Sequence, residues 1–229
     1  MNYLKSLDFD FMQMLNFEEL PFRAKFIPSK IWEDLDKYQN DATGLRNYFK
    51  KWRFSIIWHQ EKKPTKSIAV GGGYYPDEGR SELDIYTSPD TDFNRYKFTE
   101  ASWNRFKFRV IQVAMHELIH CKQYYGKPEE YCATKVYYAR TGIKRIDDNR
   151  DYHAGRDEID AYAHCVYLDF KMKRPTIPVG ELIRYAGTYK VSKNLAGIQK
   201  VFQTDKYNEV VPLLLRKILK WERKYTRFS

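Results

Sequence analysis

Residues 113–126 read VAMHELIHCKQYYG. His116 and His120 stand four apart, Glu117 follows the first of them, and the stretch closes on Gly126. On an α-helix, positions i and i+4 share a face one turn apart, so both imidazoles can address a single cation. Glu117 points elsewhere, yet a carboxylate one position after a ligand can still reach a water on the metal without being a ligand itself. Two histidines plus a neighbouring carboxylate base is the zinc-hydrolase reading of HExxH. The competing reading is a polar helix face that happens to carry two histidines. The neighbours separate the two: Val113, Ala114, Leu118 and Ile119 are apolar, which buries at least one side of the helix. Buried imidazoles and a buried carboxylate need partners, and a metal supplies one.

Working outward, Trp103, Phe106, Val110, Val113 and Ala114 form an apolar stripe at helical spacing. The pattern predicts one helix over 99–125, capped by Thr99, stopped at Gly126 and barred from continuing by Pro128. A catalytic zinc takes three protein ligands and keeps its fourth position for water. The longer pattern HExxHxxGxxH does not supply the third, because Gln123 and Gly126 occupy its glycine and histidine positions. The other source is residues 155–167, GRDEIDAYAHCVY, within a helix predicted over 156–170. There Glu158, Ala161, Tyr162 and Cys165 share one face, and the small residues allow close packing that brings Glu158 to the metal. Asp157, Asp160 and His164 form another cluster. Asp157 competes as ligand, and His164 is either a group behind the ligands or solvent-exposed. A plainly solvated acidic face stays open for these carboxylates.

HELIH, followed 38 residues after His120 by EIDAYA, resembles the gluzincin zinc metallopeptidases, among them the ImmA/IrrE-like and related short phage and bacterial proteins. The resemblance covers about residues 67–170. It implies an α+β, zincin-like fold: a small, mostly antiparallel sheet packed on the HExxH helix, a second helix carrying the glutamate, and additional C-terminal helices. By position it makes His116, His120 and Glu158 the ligands of one zinc ion and Glu117 the general base of peptide-bond hydrolysis, in an endopeptidase acting on a protein or peptide. Tyr162 stands where some of these families carry an aspartate, so no subfamily follows. A donor to the oxyanion is also required, and the candidates are Tyr152, His153 and Tyr162. The resemblance further implies that an edge strand ahead of the zinc helix holds the substrate as an added strand.

Composition sets the outer bounds. The chain has 229 residues, 43% of them hydrophobic, enough for one substantial core. The expected organisation is a single domain over 1–229, with N-terminal α/β elements in 1–60, the metallopeptidase core in 67–170 and a helical extension in 171–229. Cys121, Cys132 and Cys165 contain no CxxC pair and cannot make a four-cysteine zinc site. With their odd number, and with acids where a signal peptide needs a basic start, they predict a soluble cytoplasmic protein with no membrane partner (the host cytoplasm if viral). The Lys-, Tyr- and Phe-rich makeup suggests a phage gene.

In the first 60 residues, PSKIWEDLDKY predicts a helix capped at Ser29, TGLRNYFKKW a second with Leu45, Phe49 and Trp52 on one face, and RFSIIWH at 53–59 a strand. Residues 67–87 read as a hairpin around PDEG, with Leu83 and Ile85 on one side and Glu82, Asp84 and Tyr86 on the other. Gly71, Gly72 and Gly73 in its first arm fit a bulge, a close backbone approach or a plain loop. PEEYCATKVYYARTG at 128–142 reads as another helix and 143–155 as an irregular loop.

The net charge of +10 favours an acidic partner. At the C-terminus Arg216, Lys220, Arg223 or Lys224, and Arg227 recur on one stripe while Leu214, Ile218 and Trp221 recur on another. That is a basic amphipathic helix, either docked with a solvated face or in contact with nucleic acid. The alternative to an enzyme is therefore a nucleic-acid-associated or protein-interaction module whose zinc site is structural or inactive.

Overall fold

A proline at the first helical position costs no hydrogen bond and fixes φ, which is why the first described helix begins where it does. In the computed structural model, which describes residues 26–60, 68–75, 78–126, 155–185, 192–202 and 209–228, α1 spans Pro28–Leu35. Its N-cap is Ile27, without a side-chain cap, so the expected cap at Ser29 is replaced by the proline start. Ile31 and Leu35 are buried, and the chain continues as a 3-10 turn over Asp36–Tyr38. α2 (Ala42–Phe49) is capped by Asp41, which accepts from Gly44 N at 2.8 Å. Its Leu45 and Phe49, and Trp52 in the following 3-10 turn, are buried on one face as predicted.

The sheet has the order β1-β3-β2, with β1 at Phe54–Gln60, β2 at Ala69–Tyr75 and β3 at Arg80–Thr87. β2 and β3 form the predicted antiparallel hairpin, turning through Gly79 at φ +58°. β1 pairs with β3 in parallel, Ile56 opposite Leu83 and Trp58 opposite Ile85. The sheet is therefore mixed, not mostly antiparallel. β2 lies at the far edge from β1, and β3 lies between them, running alongside β1. Ser81, Leu83, Ile85 and Thr87 are buried while Arg80, Glu82, Asp84 and Tyr86 keep partial exposure, the expected alternation.

α3 spans Glu100–Gly126, close to the predicted extent. Thr99 caps it: Ser102 N donates to Thr99 Oγ1 at 3.2 Å, and Trp103 N to Thr99 O at 2.9 Å. Asp36, just past α1, accepts from Trp103 Nε1 at 2.7 Å and from Lys107 Nζ at 2.5 Å. Lys107 is 2% exposed, so its ammonium needs that carboxylate.

The described residues fall into two compact units, one ending at Cys121 and the other beginning at Lys122, so the division lies inside α3. In the second unit α4 (Arg156–Lys173) is followed by α5 (Val179–Tyr185), α6 (Lys193–Val201) and α7 (Val210–Phe228), which answers to the expected C-terminal helices. α7 packs along α4. Val210, Leu214, Ile218, Trp221 and Tyr225 form its buried stripe. Trp221 Nε1 donates to Asp160 O at 3.1 Å, and the Tyr225 and Tyr167 rings stack 4.8 Å apart. The architecture is thus α+β, with a small mixed sheet and several helices. Among the described residues no helix is long and apolar enough to cross a membrane.

Candidate metal centre

The second half of α3 changes character. Its first turns bury one stripe, but from Val110 to Cys121 every residue is buried except His116, which keeps intermediate exposure. Glu117 is 4% exposed and His120 3%. One turn apart, the two histidines meet as helical geometry requires, with ring centroids 4.7 Å apart and Nε2 atoms 3.0 Å apart. Tetrahedral zinc with bonds of about 2.0–2.1 Å sets two ligand nitrogens about 3.3 Å apart, so this pair fits one ion.

Glu117 is held against the sheet. A Cβ built on Gly72 would lie 3.0 Å from Glu117 Oε1, 2.6 Å from Val113 Cγ1 and 2.8 Å from the carbonyl oxygen of Glu82. Only a residue without a side chain lets β2 come this close to α3. The glycine run is therefore neither loop nor bulge but a strand in register with β3 throughout, and the close approach expected there is made to the HExxH helix at Gly72. Replacing Gly72 with Ala should strain β2 on two sides, because the new Cβ would meet Val113 and Glu117 on the helix and, in the neighbouring β3, the Glu82 carbonyl oxygen, which cannot rotate away. The expected cost is about 1–3 kcal/mol, that of overpacking. It would be measured by denaturant titration, and a variant as stable as the wild type would show that strand and helix can separate freely.

The last turn of α3 reaches the start of α4. Gln123 Nε2 donates to the Asp157 carbonyl oxygen at 3.1 Å, and the next residue, Glu158, is 7% exposed. One ring nitrogen each of His116 and His120 and one carboxylate oxygen of Glu158 lie within 4.8 Å of one another. Two imidazoles and one carboxylate are the donor set of many three-ligand zinc sites. Asp157, the competing ligand, is exposed. Asp160 pairs with Lys217 at 3.3 Å. His164, expected behind the ligands or in solvent, is fully buried and shares a 2.7 Å hydrogen bond with the Tyr225 hydroxyl. It belongs to the α4–α7 contact.

Tyr162 lies one turn after Glu158 on α4, beside buried Ala161 and Cys165, and keeps intermediate exposure. Tyr152, His153, Cys132 and the helix expected over 128–142 lie outside the described residues. Cys121, next to His120, is buried, and burial pushes its thiol up to about 11, so it stays a neutral thiol at physiological pH. On α7, Arg216, Lys220, Arg223 and Arg227 are exposed, while Lys224 sets its ammonium 4.3 Å over the Trp221 ring. The stripe therefore runs through Arg223, not Lys224, because the latter lies on the edge of the buried face. Two contacts went unread in the sequence. The helix partner of Gly72 was signalled only by the glycine run, and nothing flagged Gln123 and Asp157. No protein family, characterised protein or solved structure matches this chain.

Proposed function

We propose that this chain is a zinc-dependent metallopeptidase of zincin-like fold, with His116, His120 and Glu158 as ligands and Glu117 as general base. The observation that carries the reading is the gathering of those three ligand atoms within 4.8 Å, with a buried glutamate that is not one of them on the next helical position. Zinc held by such residues supplies Lewis acidity, which acidifies water and polarises a carbonyl. His116 and His120 serve as neutral imidazoles. Glu117, pinned beneath Gly72, takes a proton from the attacking water and delivers it to the leaving amine. Tyr162, on the Glu158 side of α4, is the described candidate to donate a hydrogen bond to the developing oxyanion. β2 is an edge strand of the described sheet, and its backbone can take an extended peptide as an added strand. Elemental analysis tests the reading: the purified protein should carry one zinc per chain. Zinc-free protein that hydrolyses peptides at full rate would overturn it.

A further inference from the structure

The cationic stripe of α7 has no role in that chemistry. Arg216, Lys220, Arg223 and Arg227 follow at i, i+4, i+7 and i+11, which places them on one line of the helix. All four are exposed, and among the described residues none of them makes an ion pair. The cations that do have partners lie off the line, Lys217 on Asp160 and Lys224 over Trp221. The one acid within the span, Glu222, is turned away. It accepts from Val179 N at 2.7 Å and lies 3.6 Å from Lys171. The field is felt nearby: burial lowers the Lys224 pKa, and Lys220, Lys217 and Lys122 lower it further against the opposing pull of Asp160.

We infer that this line of α7 binds the phosphate backbone of a nucleic acid. At 1.5 Å per residue the four cations span about 16 Å, roughly the axial length of five phosphates on one strand. Three of the four are arginines, whose planar fork matches phosphate oxygens. The packing of α7 disfavours a bilayer surface. A helix that lies in a membrane interface needs an apolar face to insert, and the apolar face of α7 is spent on α4. Phosphate contacts carry no sequence information, so binding through this line is indifferent to sequence.

The test is a salt titration of the full chain with a fluorescent single-stranded and a double-stranded oligonucleotide. Four phosphate contacts give slopes of log K against log salt of about −2.8 and −3.6, so between 50 and 200 mM salt affinity falls about 50-fold and about 150-fold respectively. Arg216→Gln with Arg223→Gln should halve the slopes, leaving a drop of about 12-fold on the duplex. Arg216→Lys with Arg223→Lys should keep them, which separates lost charge from a damaged helix. Lys193→Gln with Lys200→Gln, equal in charge but on α6, should change nothing. Three results would each overturn the inference: no binding at low salt, an equal loss in the α6 pair, or binding to phosphatidylserine vesicles without binding to either oligonucleotide.

Discussion

Glu117→Gln should slow peptide hydrolysis by about 10²–10⁴-fold while leaving metal content and fold unchanged. The amide keeps the size and shape of the carboxylate, so the packing of Glu117 beneath Gly72 survives. It cannot accept a proton at neutral pH, so water activation is lost. All three proposed ligands remain. The assay needs a cleavable target, and an unfolded protein or the chain itself is the natural first choice. Metal content is measured on the same preparations. Loss of zinc along with activity would mean that Glu117 coordinates the ion, and the mechanism would be wrong. Wild type and variant that hold zinc equally and are equally inactive on every target would favour a metal-stabilised binding module.

His120→Ala and Glu158→Ala should each abolish stoichiometric zinc. Both side chains are buried, so removal deletes a donor from inside the fold. The loss of affinity should exceed the about 10–100-fold that follows removal of a group behind the ligands. Asp157→Ala should retain zinc, since that side chain is exposed and only its backbone carbonyl is engaged, by Gln123. Asp160→Ala should retain it too, losing the Lys217 pair instead. Calorimetry gives a second readout. Zinc that binds only the folded chain raises its melting temperature, so added zinc should stabilise the wild type and Asp157→Ala but not His120→Ala. If Asp157→Ala is the variant that loses zinc, the wrong carboxylate has been assigned.

What the sequence disclosed follows from periodicity. The apolar stripe from Trp103 to Ala114 and the Thr99 and Gly126 signals gave α3 almost to the residue, because helix phase and caps are local properties. The alternation through Leu83 and Ile85 gave the covered face of β3 for the same reason. That phase also put Glu158 on the buried side of α4 and left Asp157 exposed. What stayed hidden is what distant segments decide together. The parallel pairing of β1 with β3 depends on where a connection carries the chain, which no local pattern records. The choice between Arg223 and Lys224 could not be made from spacing, since the boundary of the buried face of α7 is set by α4. A lone histidine like His164 carries no mark of its partner, and its hydrogen bond to Tyr225 spans 61 positions.

The division between the two units within α3 bears on heredity. Genes exchange and recombine domains most readily at linkers that few contacts cross. Here a junction at 121/122 would cut through a continuous helix and part His120 from Gln123, whose side chain grips the start of α4. Neither half is a transferable module, since each would inherit a severed helix. Descendants of this gene are therefore expected to keep both halves in one reading frame. Insertions and deletions should collect in the connections between elements and spare the stretch from His116 to Gln123.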